Sequence, residues 1–399
     1  MRYCLTILLI LEIATGLSQN KPETAFGSVK SRTLDSLEAE LKTVSQEKRF
    51  KVLLSLFREY LTLNQDKAQQ YIGEALVQAK IDNDSLEMVI AYSGTAYLLK
   101  SEGRLEAAIE LFTDALEISK RNYFKNQIKY MLNNLATSYA VSSAYDKALF
   151  YHFESLKLRE RDGDAIGISV TLNNIGSIYD LLQDYKNALS FYQRSYETKI
   201  KNNVEYDLEL TLLNIAMVHN KLNEFKEAEN KLNEIKSKCE SKVCPTNILI
   251  STSNAFGEIL LNQKKYAEAQ EYFIGSLRLI NQNPSTIYSS WEGKGEHLSN
   301  TLYWLGFVQL SQNNFKAAIS YLMTSLRTAE EFGIQDTMMK SYLLVSEAFA
   351  SLNNFKLAYE YQNKYVQLNS ELLSGKVLSR ITELRTSFDQ RENLSMIAA

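Results

Sequence analysis

A chain of 399 residues with a formal charge of −3 is too long for one ordinary core and long enough for two or three domains. Its three prolines and fifteen glycines fall far below the ~5% and ~7% of average usage, which disfavours turn-rich β sandwiches and disordered linkers. Apolar residues at 45% suit a long all-α chain, and 44 basic against 47 acidic residues argue against nucleic acid as the main partner, because phosphate binding needs a concentrated basic surface.

The first residues read as a segment of their own. Arg2 precedes an apolar run from Leu5 to Leu11, which continues through Ile13 and Ala14 to Gly16, Leu17 and Ser18. A short positive start, roughly ten apolar residues and a small-residue end predict a secretory signal peptide over residues 1–18. A membrane anchor is the alternative, although the run is shorter than the ~20 apolar residues a spanning helix needs. Glu12 interrupts the run under either reading, and Cys4 lies ahead of it, not where a lipoprotein cysteine stands. No later stretch reaches ~18 apolar residues, so no transmembrane segment is expected in the mature chain. The expected location is exported, in the periplasm or associated with the envelope. Residues 19–48 are expected to form an N-terminal helix or cap.

From about residue 49 the chain repeats itself. Alignment on Ala68, Ala108, Ala148, Ala188, Ala228, Ala269, Ala318 and Ala358 gives spacings of 40, 40, 40, 40, 41, 49 and 40. Three residues before these alanines stand Leu105, Tyr145, Tyr185, Phe225, Tyr266, Phe315 and Phe355, with Gln65 the exception. Twelve before come Ala96, Ala136, Gly176, Ala216, Gly257, Gly306 and Ser346, small in all units but the first, which has Leu56. Seven after, Ala75, Ala115, Ser155, Ser195, Ser276 and Ser325 are again small. Columns that were not used to set the register agree with it, so the repeat is real.

Within one unit Leu172, Ile175 and Tyr179 recur at helical spacing, Gln183-Asp184 breaks the pattern, and Ala188, Phe191-Tyr192 and Ser195 resume it. Each unit therefore predicts two helices. Small residues at Gly176 and Ala188 allow close approach, and the ring of Tyr185 fills the wedge at the turn. A single hairpin cannot bury its apolar face alone, so the units must stack.

The series Leu172, Ile175-Gly176, Tyr179, Tyr185, Ala188, Tyr192, Ser195 resembles the tetratricopeptide repeat, and the likeness covers about residues 49–365 in eight units. The common period of that repeat is about 34, so a period of about 40 implies longer helices. The runs Leu132–Ala136 and Leu172–Gly176 resemble those of exported signalling proteins of the Bacteroidota. The resemblance implies a right-handed α-solenoid of about eight helical hairpins, with the first helix of each unit lining a concave groove.

In that groove the resemblance places Asn134, Asn174 and Asn214, with Asn133, Asn173 and Asn254 one position earlier and Thr137 and Ser177 one turn on. Asparagine is a mediocre helix former. Its amide both donates and accepts, which suits clamping the backbone of an extended peptide. An inherited, solvated asparagine with no ligand is the alternative. Tyr303, Trp304 and Phe307 fall at matching inward positions of the seventh unit, either as an aromatic anchor for a partner or packed beneath neighbouring segments.

Export also bears on Cys239 and Cys244, which flank a short loop beside Pro245 and are expected to form a disulfide. Zinc or a pair of unreactive thiols are the alternatives, with no histidine or second cysteine pair nearby. The 49-residue spacing predicts an insertion at Asn281–His297, a tolerated loop or a lid over a ligand.

No catalytic motif is visible: there is no phosphate-cradling glycine loop, Gly-x-Ser-x-Gly elbow or His-Glu-x-x-His pair. The three histidines lie far apart; His152 shares a column with Phe112, Tyr192 and Phe273, and His219 replaces Tyr139 and Tyr179. Both read as packed core residues, and neither an enzyme, a cofactor nor a metal is expected.

Residues 366–399 are expected to form a C-terminal amphipathic helix. Leu373, Val377, Ile381, Leu384 and Phe388 make one stripe, which either caps the last hairpin or pairs two copies through 368–388. The run Ile381–Phe388 resembles the helical stalk that joins signalling relatives to a membrane helix and an output domain. The expected function is a non-catalytic scaffold of the cell envelope that binds a protein or peptide segment in its groove. The alternative is the sensory input region of a two-component or transcriptional signalling protein whose membrane and output domains are absent from this chain.

Overall fold

A computed structural model describes residues 34–61, 63–241, 244–282 and 291–372. Among these residues every regular element is an α-helix. A leading helix, α1 (Leu34–Thr43), precedes eight hairpins. The first four are α2 (Gln46–Tyr60) with α3 (Gln65–Ile81), α4 (Ser85–Ser101) with α5 (Leu105–Arg121), α6 (Lys125–Val141) with α7 (Tyr145–Asp162), and α8 (Ala165–Leu181) with α9 (Tyr185–Lys201). The rest are α10 (Leu208–Lys221) with α11 (Phe225–Ser241), α12 (Thr246–Asn262) with α13 (Tyr266–Gln282), α14 (Trp291–Ser311) with α15 (Phe315–Glu331), and α16 (Gln335–Ser351) with α17 (Phe355–Leu372). The chain divides between Asn174 and Ile175 into two compact units.

The hairpins begin at Gln46 and run to Leu372, wider than the span of 49–365 read from the repeat columns. The signal sequence, the stripe from Leu373 to Phe388 and residues 19–33 lie outside the described residues. The expected insertion at Asn281–His297 is corrected in part: Trp291–His297 are the first turns of α14, which is 21 residues long. Gly295 explains the close fit there, since a Cβ at that position would collide with the ring of Phe332. Residues 283–290 lie outside the description.

The period of 40 follows from helix length. Most helices have 17 residues, about 25 Å at 1.5 Å per residue, and a three-residue turn follows most of them. Most of these turns share one construction. Its middle residue is left-handed, as at Ser143 (φ 61°) and Gln183 (φ 59°) within hairpins and Asn83 (φ 50°) and Gly163 (φ 68°) between them. The next N–H then reaches back to a carbonyl five residues earlier, Ala144 to Tyr139 at 2.9 Å and Asp184 to Tyr179 at 2.9 Å. This Schellman closure satisfies carbonyls that a helix end would otherwise strand.

Within a hairpin the small column meets a large side chain four residues beyond the repeat alanine. Ala96 and Phe112 share one apolar cluster, as do Ala216 and Leu232. Where the small residue is glycine the fit is tighter: a Cβ at Gly176 would lie 2.8 Å from Tyr192, at Gly257 2.5 Å from Phe273, and at Gly306 2.5 Å from Leu322. Phe273 is fully buried and stacked on Trp304 at 6.1 Å, so it has nowhere to retreat.

In three consecutive units a second register ties the hairpin to the linker that follows, eleven residues past the alanine. Arg159, 2% exposed, reaches Asp164 at 3.1 Å. Lys199 donates to the carbonyls of Tyr206 at 2.7 Å and Asp207 at 2.8 Å. One repeat further on, Cys239 is bonded to Cys244 with Cα atoms 5.1 Å apart. The same five-residue span is bridged by an ion pair in one unit and a covalent bond in another. Burial lowers the Lys199 ammonium to about 8, the expected direction for a cation taken out of water.

Gly257→Ala is expected to destabilise the chain by about 1–3 kcal/mol through overpacking against Phe273. Gly73→Ala, on the open face of α3 with nothing within 4 Å of the added Cβ, is the control and should be neutral or stabilising by up to ~1 kcal/mol. Thermal melts of the two variants check this, and equal midpoints would remove the close-approach argument.

Candidate functional site

In the unit that ends at Asn174, helices α6 and α8 carry the asparagine pairs side by side. Asn133 and Asn134 are 1% and 3% exposed, Asn173 and Asn174 3% and 1%. Their setting is therefore a closed interhelical seam, not a solvated face. The Asn174 amide donates to the Asn133 oxygen at 3.4 Å, one rung linking neighbouring first helices. Thr137 and Ser138 both donate to the Asn134 carbonyl, at 3.0 and 2.8 Å, so Thr137 serves its own helix. The side-chain oxygens of Asn134 and Asn174 are buried and accept no hydrogen bond. An unmet buried acceptor costs about 1–3 kcal/mol, and such groups in a folded protein call for a reason.

In the unit from Ile175 onward the other predicted residues are distributed. Ser177 accepts a hydrogen bond from the Tyr192 hydroxyl at 3.0 Å, which fastens α8 to α9. Asn214 is half-buried on α10. Asn254 donates to Thr301 at 3.0 Å and binds α12 to α14. Tyr303 is buried, while Trp304 and Phe307 are half-buried. Trp304 meets Tyr303 edge-on at 4.9 Å and Phe307 at 5.8 Å, and it stacks on Phe273. The aromatic trio is a packed cluster that shows part of one indole and one phenyl ring.

Beside it lies a charged group with no recurring column to announce it. The Trp304 side chain hydrogen-bonds the Glu258 carboxylate, whose pKa burial raises to about 7 while Lys340 and Lys221 pull it back down. Lys340 pairs with Asp336 at 2.7 Å on α16, and Lys221 with Asp180 at 2.7 Å. These residues stand on first helices α8, α10, α12, α14 and α16, of which α8, α10 and α12 also carry predicted asparagines.

The histidines offer no chemistry. His152 is wholly buried in the core, and neither ring nitrogen has a hydrogen-bond partner. Burial, with Arg159 nearby, lowers its pKa to about 3. His219 sits 2.6 Å from Glu224 across a turn. Among the described residues no group of three or more His, Cys, Asp or Glu side chains could hold a metal ion, and no helix is long and apolar enough to cross a membrane.

The tetratricopeptide repeat family matches residues 128–201 and, separately, 91–122. These stretches are tetratricopeptide repeats. Solved structures share the fold at low identity. The Rap protein complexed with competence and sporulation factor is 11% identical, covers 86% of this chain and 98% of its own, and superposes with a TM-score of 0.58. NprR in complex with its cognate peptide NprX is 15% identical over 87% of this chain and 99% of its own, with a TM-score of 0.54. A signal transduction ATPase with a tetratricopeptide repeat sensor, from Pyrococcus horikoshii, is 12% identical over 94% of this chain and 54% of its own, with a TM-score of 0.55. No curated protein matches the sequence. The repeat matched at 128–201 contains both buried asparagine pairs.

A neutral core histidine makes stability depend on pH. Unfolded, His152 titrates near ~6.5; folded, it stays neutral down to about 3. Between those values the unfolded chain binds the extra proton, so stability is full above the unfolded value and falls as the pH drops. The loss approaches ~1.4 kcal/mol per pH unit, or up to about 2 kcal/mol on going from pH 6.5 to 5. His152→Phe, which installs the residue found in this column at Phe112 and Phe273, should flatten that slope. Melting midpoints of parent and variant at pH 7 and pH 5 check it; parallel losses in both would reject His152 as the source.

Proposed function

We propose that this chain is a non-catalytic scaffold that holds an extended peptide or protein segment against its first helices. The observation that carries the reading is the pair of unmet amide oxygens at Asn134 and Asn174, on consecutive first helices one repeat apart. Backbone N–H groups of an extended strand are donors of the kind these oxygens lack. Engagement requires the two side chains to turn toward the ligand, a change of rotamer ordinary at interfaces. Asn133 and Asn173 would hold their neighbours in place. The complex of NprR with its cognate peptide supports a peptide as ligand.

The test is selection of random displayed peptides on the full chain, followed by affinity measurement. Asn134→Ala combined with Asn174→Ala should weaken the selected peptides by at least about tenfold, the loss of one to two hydrogen bonds. The melting midpoint should fall only modestly, because the loss of the 3.4 Å Asn174–Asn133 hydrogen bond is offset by the removal of two unmet buried oxygens. Equal affinities for parent and double variant would reject the site.

The scaffold is proposed to act in the cell envelope. The apolar run at Leu5–Leu11 and the Cys239–Cys244 pair support that placement. Deleting residues 2–18 should leave the chain in the cytoplasm of its host, with the two cysteines reduced and open to alkylation. An undeleted chain that fractionates with the cytoplasm would reject the envelope.

A further inference from the structure

The ties between a second helix and the linker after it are chemically unlike one another. Arg159 and Lys199 are each 2% exposed and reach their linkers through hydrogen bonds. A buried cation of this kind is satisfied only while the fold holds it. Cys239 makes the same tie with a covalent bond to Cys244. A thiolate can open such a bond, and an oxidant can close it again, while the helices on either side stay folded.

The setting suits a bond that opens locally. Both cysteines are half-buried, and their neighbours Glu240 and Pro245 are exposed, so the bond lies at the margin of the junction. The apolar packing of that junction does not run through it. Ile235 of α11 shares a cluster with Ala255 and Ile259 of α12, and Cys239 and Ile248 lie at the edge of that cluster. The two cysteines are five residues apart in sequence, so the bond removes less entropy from the unfolded chain than a long loop would. What it restrains is the start of α12 against the end of α11.

The two sulfurs also differ in their electrostatic setting. Cys239 lies in the last turn of α11, which ends at Ser241, the negative end of the helix dipole. Cys244 stands two residues ahead of Thr246, where α12 begins, beside the positive end. A departing thiolate is favoured at the second place and disfavoured at the first.

We propose that Cys239–Cys244 is a thiol–disulfide exchange site whose co-reactant is a dithiol. One thiolate of the dithiol bonds to the Cys239 sulfur as the Cys239–Cys244 bond breaks, and the electron pair leaves on Cys244. The second thiolate then attacks the mixed disulfide, closes the dithiol's own disulfide and frees Cys239. The two protons given up by the dithiol end on the two cysteines, so the dithiol is oxidised by two electrons and the cystine is reduced by two. The reverse sequence restores the tie. Opening it frees the linker at Cys244 and the first turn of α12, the helix that carries Asn254 and Glu258.

The test uses the full chain in native buffer with dithiothreitol as the probe. Both cysteines should become open to alkylation by iodoacetamide without denaturant, Cys244 at least about fivefold faster than Cys239, as mapped by mass spectrometry. Amides over 246–250 should exchange at least about tenfold faster in the reduced chain than in the oxidised one, while those over 225–235 keep their rate. Reoxidation should restore the slow rate. Cys239→Ser with Cys244→Ser should exchange at the fast rate with or without dithiothreitol; if that variant does not fold, the reduced parent decides alone. A bond that is reduced only after denaturant is added would overturn the proposal and leave a purely structural cross-link. Exchange over 246–250 that does not change on reduction would overturn it too, as would alkylation of Cys239 as fast as that of Cys244.

Discussion

Close approach of the two helices in each hairpin is the constraint on which the remaining structure depends. A small residue on the first helix faces a large one on the second, and where the small residue is glycine the gap is filled to the limit, as at Gly257 against Phe273. Close-packed interiors tolerate neither a void nor an extra methyl at such a position. Once that distance is set, helix length and turn length determine the repeat: 17 helical residues and a three-residue Schellman turn, taken twice. The longer period relative to the common repeat adds nearly one helical turn to each of the two helices.

The linkers between hairpins obey a separate rule. In three consecutive units a group eleven residues past the repeat alanine reaches across to the linker that follows, as Arg159 to Asp164, Lys199 to the Tyr206 and Asp207 carbonyls, and Cys239 to Cys244. Buried cations are tolerated because each is met by a carboxylate or by carbonyls. A disulfide in the same register makes the same connection without charge, and its short loop confines its effect to that junction.

Polar residues are used unequally in the two units. Up to Asn174, four asparagines are drawn into a seam where one rung is hydrogen-bonded and two amide oxygens are not. From Ile175, the matching residues are spent on the fold: Ser177 receives Tyr192 and Asn254 holds Thr301. Charge takes over there, with Glu258 beside Trp304 and the pairs Lys340–Asp336 and Lys221–Asp180 on the first helices.

The eight hairpins, the all-helical class and the packed state of His152 were legible in the sequence, because each rests on a side-chain size or polarity that recurs at fixed spacing. The absence of a recurring column is also why Glu258, Lys340 and Asp336 were not legible: each is a single charge whose neighbours come from other repeats. Helical pattern around the insertion was likewise too weak to place the start of α14 at Trp291, which depends on Gly295 fitting against Phe332. Periodicity could put the asparagines on first helices but not say whether water reaches them. Only the packing of α6 beside α8 decides that, since exposure is a property of neighbouring helices and not of the residue or its spacing.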